Sequence, residues 1–112
     1  MGKALILNIS KEAAELLYSG RTAQAPCSQI PDMAHKLNPV VYLCTRGLIT
    51  GKARYISSAV SREPLENSTT DHYGLNVAWN LTGIERLSKP KPVAVCEIKR
   101  PPDEWKWARC EA

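Results

Sequence analysis

The sequence predicts an α+β fold, a small and mostly antiparallel β domain with one or two helices that takes up residues 1–112. Several apolar segments have the length of strands and are separated by turn residues. Only one clear amphipathic helical pattern occurs, near the start of the chain. A chain of 112 residues forms one hydrophobic core but not two. Hydrophobic residues at 44% and charged residues at 23% exclude collagen, coiled coil and wholesale disorder.

The first elements are a strand followed by a helix. Residues 3–9 are short and rich in Leu and Ile, which predicts a buried strand. Residues 11–19 place apolar side chains at helical spacing, with Ser10 as the N-cap and Gly20 as the stop that tolerates positive φ. Residues 21–39 are polar and contain three prolines, so we expect no long regular element there.

The rest of the sequence predicts strands separated by turns and loops. We expect strands at residues 40–45, 52–60, 77–87 (broken near Gly83) and 105–110. Between them we expect a turn at 46–51, a short helix or mobile loop at 61–74, a stiff turn at 88–92 and a short apolar segment at 93–98. A segment 61–74 that closes over a cleft would favour an enzyme.

The charge and composition of the chain limit the classes of partner that it is expected to bind. Fifteen Lys and Arg against eleven Asp and Glu give a formal charge of +4, which favours polyanions without requiring them. No apolar run approaches the roughly 18 residues of a membrane span, and the N-terminus lacks signal-peptide features, so we expect a cytoplasmic protein without a membrane partner. His35 and His72 are isolated, and we expect neither a metal ion nor another cofactor.

The four cysteines form no close pair. We interpret Cys27, Cys44, Cys96 and Cys110 as structural or incidental, because the sequence shows no electropositive partner for a thiolate. A disulfide is the weaker alternative in a chain without a secretory signal.

The candidate binding residues begin directly after the first helix. Arg21 offers a planar donor fork suited to phosphate or carboxylate. Thr22 and Gln24 add neutral hydrogen-bonding groups one alternation apart, so both face one cleft if this stretch is extended. An alternative stays open, in which Arg21 only complements the negative end of the helix.

A second cationic set and two aromatic residues complete the predicted site. Arg46, Lys52 and Arg54 lie at the hairpin between the second and third strands, and the last two project from the same strand face. They are ordinary solvated surface unless Arg21 lies nearby. Trp79 or Tyr73 would offer a stacking surface for a base, although at least two of the three Trp are expected in the core of a chain without Phe.

Several motifs, in this order, resemble the ASCH domain family of the PUA-like superfamily, above all its small members from phages and prophages. The strand and helix that end in SKEAAELLYSG resemble the family's opening. VVYLCT at 40–45 and ITGKA at 49–53 resemble its hairpin. The tail resembles the family in AWNL at 78–81, KPKP at 89–92 and RPPDEW at 100–105.

The resemblance implies a small β-barrel flanked by helices, with a cleft that binds RNA or nucleotides beside a Gly-x-Lys-x-x-Glu-type motif. Some members hydrolyse the amide of N4-acetylcytidine with a Lys, a Thr and a Glu, and others have been described as ribonucleases. Carried over to this chain, Arg21 takes the position of the Lys and Thr22 that of the following Thr. Gln24 takes the position of the usual Glu or second Thr, and the motif's final Arg, which falls near Pro26, has no counterpart.

These departures favour binding over turnover. Arg21 cannot lose its proton near neutral pH, and the amide of Gln24 is neither an acid nor a base. The leading hypothesis is an RNA- or nucleotide-binding module with a basic cleft after the first helix. One alternative is a hydrolase of a modified nucleoside or RNA, with Glu63 or Glu66 as base and Thr22 assisting. The other is a phage-encoded protein-interaction module, which an exposed apolar patch away from Arg21 would favour.

Overall fold

The computed structural model describes residues 3–65 and 67–110. Its elements are β1 (Ala4–Asn8), α1 (Lys11–Tyr18), β2 (Gln24–Pro26), α2 (Ala34–Leu37), β3 (Val40–Thr45), β4 (Leu48–Ser61), β5 (Thr69–Thr70), β6 (Asn76–Pro92), a 3-10 helix (Val93–Cys96) and β7 (Trp105–Ala108). Within these ranges the strands form one seven-stranded sheet in the order β2-β6-β4-β3-β1-β7, with β5 also paired to β6. Only β1 and β3 run parallel among the described pairs. The predicted α+β, mostly antiparallel fold is confirmed.

The core lies on both faces of this sheet. Leu5 and Leu7 of β1 belong to the cluster that packs against α1, whereas Ile6 belongs to the cluster that contains Val93 and Cys96 of the 3-10 helix. Successive side chains of a strand point to opposite faces, so a strand covered on both sides must be apolar throughout. For this reason the strand predicted at residues 3–9 contains four consecutive apolar residues, 4–7.

Side chains join the two outer strands of the curled sheet. The backbone N–H and the hydroxyl of Ser28, just after β2, donate to the Glu104 carboxylate beside β7 at 3.1 and 2.8 Å. The indole N–H of Trp105 donates to Gln29 Oε1 at 2.7 Å. The sheet therefore closes into a half-barrel through polar side chains.

Two turns differ from the sequence prediction. The turn expected at 46–51 is a two-residue turn, because Arg46 and Gly47 both have positive φ, 52° and 81°, and β4 already begins at Leu48. The stiff turn expected at 88–92 is instead the end of β6. There β6 pairs only with β4, an edge position that tolerates the two prolines. The expected break near Gly83 is confirmed as a register shift between Lys52 and Arg54 of the partner strand.

The segment predicted as a short helix or mobile loop contains strand β5, and its described residues include no helix. Asn67 is buried, and its amide donates to the carbonyls of Ala13 and Gln24 at 3.3 and 3.0 Å. These two bonds tie the segment to α1 and β2. No described helix is long and apolar enough to cross a membrane.

Candidate functional site

The backbone fixes the start of the predicted site. Ser10 caps α1 by accepting from the Ala13 N–H at 3.1 Å, and Gly20, with φ of 79°, ends the helix. The backbone N–H of Arg21 then donates to the carbonyl of Leu16 at 3.1 Å. The Arg21 side chain is exposed, and among the described residues its guanidinium bonds to no helix carbonyl. The backbone of this residue, rather than its charge, satisfies the helix end.

Gln24 belongs to a row of polar side chains across three strands. The amide of Gln24 on β2 donates to Asn80 Oδ1 on β6 at 3.1 Å, and the amide of Asn80 donates to Ser57 Oγ on β4 at 3.0 Å. We call Gln24, Asn80 and Ser57 the polar ladder. It lies on the face opposite α1, because the neighbouring Ala25, Trp79 and Leu81 belong to the core beneath the helix.

The ladder contains two residues that the sequence reasoning missed, Asn80 and Ser57. Asn80 stands within the AWNL motif, but a polar residue between two apolar ones was an available signal of an outward face. Thr22 accepts from the Gln24 N–H at 3.1 Å and shapes the entry into β2. The Thr22 hydroxyl is therefore engaged in the turn, and a common cleft for the Thr22 and Gln24 side chains stays a prediction.

No described contact supplies the base that hydrolysis requires. Glu63 is exposed, and its backbone groups bond to Ser61 and Asn76 rather than to Thr22. Glu66 lies outside the described residues. Among the described residues no group of three or more His, Cys, Asp or Glu is arranged to hold a metal ion.

Lys52 and Arg54 of the second cationic set lie on the sheet face opposite α1. Ala53 and Tyr55 of β4 pack into the core beneath α1, so Lys52 and Arg54 project from the other face of the strand. Lys52 Nζ lies 3.8 Å from a Glu85 carboxylate oxygen. Arg54 donates to the carbonyl of Asn38 at 2.7 Å. Both line a cavity of about 280 Å³ on that face.

Arg46 lies apart from these residues. It occupies the tip of the β3–β4 turn and lines a cavity of about 200 Å³ between that turn and α1. Neither cavity is lined by Arg21, so one basic cleft formed by Arg21 with Lys52 or Arg54 stays a prediction. The register of β4 shifts at Thr50, which pairs with neither neighbour strand, and shifts again against β6 between Lys52 and Arg54 and between Tyr55 and Ser57; these irregularities together set the faces that the β4 side chains take.

The two predicted stacking residues have opposite environments. Trp79 is fully buried, donates its indole N–H to the carbonyl of Gln29 at 2.8 Å and packs edge-on against Tyr55. It is a core residue, so its predicted role in stacking on a base is wrong. Tyr73 is 77% exposed and lies against the ring of His72, with 3.9 Å between the ring centroids.

The turn that carries Tyr73 is held by one carboxylate. Asp71 Oδ1 accepts from the backbone N–H groups of Tyr73 and Leu75 at 2.9 and 3.0 Å. Such local bonds favour a fixed turn. The phenol ring is thus presented to solvent from a defined position.

The cysteines divide into two kinds. Burial raises the pKa of Cys27 to about 12 and also raises that of Cys44, so both thiols stay protonated near neutral pH, as expected of structural residues. Cys96 and Cys110, in contrast, are joined by a disulfide bond. The disulfide, which was the weaker alternative, is therefore present for this pair, whereas Cys27 and Cys44 are free. The 3-10 helix and the end of β7 pack on the same face of the sheet, which brings these two distant positions together.

An apolar groove of about 670 Å³ lies between α2 and β7. The exposed side chains of Met33 and Leu37 line it together with Trp107, and Lys3 and Asp32 add one charge of each sign. None of the three cavities described here is lined by Arg21, Thr22 or Gln24.

Comparison with known proteins gives a likeness in structure only. No family model and no curated protein matches the sequence. The structure is similar to that of ASCH from Zymomonas mobilis, with a TM-score of 0.68 at 14% identity over 94% of this chain and 87% of that one. It is also similar to a serine-to-alanine variant (0.66, 14%, 94% and 87%) and a tyrosine-to-phenylalanine variant (0.65, 13%, 94% and 89%) of that protein. The chain therefore has the α+β fold of an ASCH domain, as its motifs predict.

Proposed function

We propose that this ASCH-fold chain binds single-stranded RNA or a nucleotide-like ligand on the surface that follows α1. The observation that carries the proposal is the exposed guanidinium of Arg21. Among the described residues only Lys52 and Arg86 form ion pairs, so no described carboxylate neutralises Arg21. A guanidinium in this state is suited to bind phosphate through two parallel hydrogen bonds.

The polar ladder supplies the groups that recognise a base. Gln24 and Asn80 each carry an amide, which holds both donors and acceptors, and Ser57 adds a hydroxyl. Single-stranded RNA exposes the hydrogen-bonding edges of its bases to groups of this kind. Because the ladder bonds fix these side chains relative to one another, little side-chain entropy is lost on binding.

Tyr73 extends the surface along β6. Asn80 and Asn76 are four residues apart on this strand, a distance of about 13 Å at 3.3 Å per residue, and the turn with Tyr73 lies beyond. An exposed aromatic ring at that distance stacks on another base of the same strand. The formal charge of +4 further favours a polyanion.

The binding experiment measures the anisotropy of a labelled single-stranded RNA at low and at moderate salt. We expect salt-sensitive binding that Arg21→Ala weakens about tenfold or more and whose salt slope falls by about one. Arg109→Ala removes the same charge from another exposed position and serves as the matched control. Tyr73→Ala weakens binding, whereas Tyr73→Phe retains it because the ring is kept. Equal affinities of Arg21→Ala and Arg109→Ala would refute the proposal.

The apolar groove supports a second candidate function, binding of a protein. Met33 and Leu37 are 50% and 61% exposed on its rim, away from Arg21. Exposed apolar patches of this kind mark interaction surfaces. A chain that binds no RNA at either salt concentration, and whose capture of a partner is lost in Leu37→Asp, would be an interaction module instead.

A further inference from the structure

A pocket separates the start of α1 from the turn between β3 and β4. It has a volume of about 200 Å³, and the polar residues in its lining are Lys11, Glu15, Tyr18, Thr45, Arg46, Thr50 and Arg86. We call it the hairpin pocket. Neither the Arg21 surface nor the polar ladder contributes to it, so its function can be tested separately.

Thr45 is the first sign that this pocket receives a ligand. The residue is only 7% exposed, and its hydroxyl is completely shielded from solvent. In residues 3–65 and 67–110 this hydroxyl has no hydrogen-bond partner, the only buried side-chain polar atom there of which this is true. A buried hydroxyl without a partner destabilises a fold, so its retention in a residue that lines a pocket favours a partner from outside, which reaches the hydroxyl once the groups that shield it move.

The charges of the pocket define that partner as an anion. Three of the lining side chains are cationic, Lys11, Arg46 and Arg86, against the single carboxylate of Glu15. Both guanidinium nitrogens of Arg86 already bond to Glu15, at 2.7 and 3.4 Å. The Glu15 charge is thus neutralised locally, and no described carboxylate pairs with Lys11 or Arg46.

The floor of the pocket is already in place without a ligand. The hydroxyl of Tyr18 is hydrogen-bonded to Thr50 Oγ1 at 2.7 Å, and Arg86 lies over the Tyr18 ring, 5.0 Å from its centroid. Burial raises the pKa of Tyr18, so its hydroxyl stays protonated. Because Gly51 has no side chain, the ring of Tyr18 rests directly on β4.

We propose that the hairpin pocket binds the phosphate group of a phosphate monoester, with Lys11 and Arg46 as the cations and Thr45 as a hydroxyl partner. A terminal phosphate is a small dianion with three free oxygens, which matches two unpaired cations and a hydroxyl in a small cavity. An internal phosphodiester carries one charge and a sugar on each side, so it fits this pocket less well. The ligand is either a nucleoside monophosphate or the phosphorylated end of an RNA strand.

Calorimetric titration of the whole chain tests the proposal. The probes are adenosine 5′-monophosphate against adenosine, a short RNA with a 5′-phosphate against the same RNA with a 5′-hydroxyl, and inorganic phosphate alone. We expect the phosphorylated member of at least one pair to bind about tenfold tighter. A preference in the mononucleotide pair only identifies the free nucleotide as the source of the phosphate. A preference in the RNA pair identifies the strand end. Equal affinities within both pairs would overturn the proposal.

Two conservative variants connect the preference to the pocket. Thr45→Val keeps the shape of the side chain and removes the hydroxyl. Arg46→Asn removes the cation but suits the positive φ of 52°, since Asn-Gly is a favoured sequence for this turn. Each is expected to reduce the preference for phosphate at least about threefold, whereas Arg109→Ala does not change it. A preference that persists in both variants would overturn the assignment.

The same titrations separate this proposal from RNA binding at the Arg21 surface. Arg21→Ala is expected to weaken both RNAs of the pair equally and to leave their ratio intact. Failure of the Arg21 surface alone would leave the preference for adenosine 5′-monophosphate over adenosine in place.

Discussion

Replacing Gly51 by alanine tests how α1 is seated on the sheet. A Cβ at this position would lie 2.6 Å from Tyr18 Cε1 and 2.6 Å from the carbonyl oxygen of Glu85, and it would also overlap the Tyr18 hydroxyl. Since Glu85 contributes its oxygen from the backbone of β6, the side chain of Tyr18 is the part that moves. Its displacement loses the bond to Thr50, worth about 1 kcal/mol, and the contact with Arg86, worth about 0.5–1 kcal/mol.

Overpacking adds about 1–3 kcal/mol, so Gly51→Ala is expected to lower the free energy of unfolding by about 2.5–5 kcal/mol. Equilibrium unfolding in urea measures this, and a double-mutant cycle with Tyr18→Ala identifies the cause. In the Tyr18→Ala background the substitution should cost at least about 1 kcal/mol less, because the contact with the ring is gone. Effects of Gly51→Ala and Tyr18→Ala that simply add would refute this reasoning.

Three further predictions concern single residues. Thr45→Val should raise the free energy of unfolding of the ligand-free chain by about 1 kcal/mol, because it removes a buried hydroxyl without a partner; a lower value in urea would show that the hydroxyl has one. Asn67→Ala should lower it by about 2 kcal/mol through the loss of two bonds to backbone carbonyls, and an unchanged transition midpoint would contradict this. Cys27 has its pKa raised by burial from 9.0 to about 12, so the native state keeps a proton that the unfolded state releases earlier. The corresponding stability is fully present below pH 9 and is lost as the pH rises towards 12. Unfolding measured between pH 8 and 11 should therefore show a steeper decline for the wild type than for Cys27→Ala, and parallel curves would count against the buried thiol.

The elements that could be predicted are those with a strong local signal. α1 has a capping serine, a helical apolar face and a terminal glycine, so its predicted and observed limits differ by one residue at the C-terminal end. β1 and β3 are apolar on both faces, so these strands were equally easy to predict. The strand at residues 88–92 could not be predicted in this way, because proline in a sequence indicates a turn. Only the structure shows that this part of β6 has a single neighbour strand, where proline is tolerated.

The site was harder to predict because it depends on which face of the sheet each residue takes. The register shifts of β4 together set the directions of Lys52 and Arg54, and nothing in the local sequence specifies these shifts. The sequence around Trp79 does contain a signal that this residue is buried. It alternates with Val77 and Leu81, and all three are buried, as a period-two apolar pattern indicates. Thr45 could not have been singled out, since only the packed structure shows that its hydroxyl lacks a partner.

The two proposed sites lie at opposite ends of one helix, and this makes their cooperation testable. Lys11 is the first residue of α1, and Arg21 follows its last residue by three, so about 15 Å separate them at 1.5 Å per residue. Stacked nucleotides rise about 3.4 Å each, so a strand with its terminal phosphate in the hairpin pocket would bring the fourth or fifth phosphate after that one to Arg21. With 5′-phosphorylated RNAs of two, four and six nucleotides, we expect a step in affinity between two and six that Arg21→Ala abolishes. An affinity that is independent of RNA length in the wild type would show that one strand does not span both sites. In that case a strand whose terminal phosphate is bound in the hairpin pocket gains no further binding free energy from Arg21.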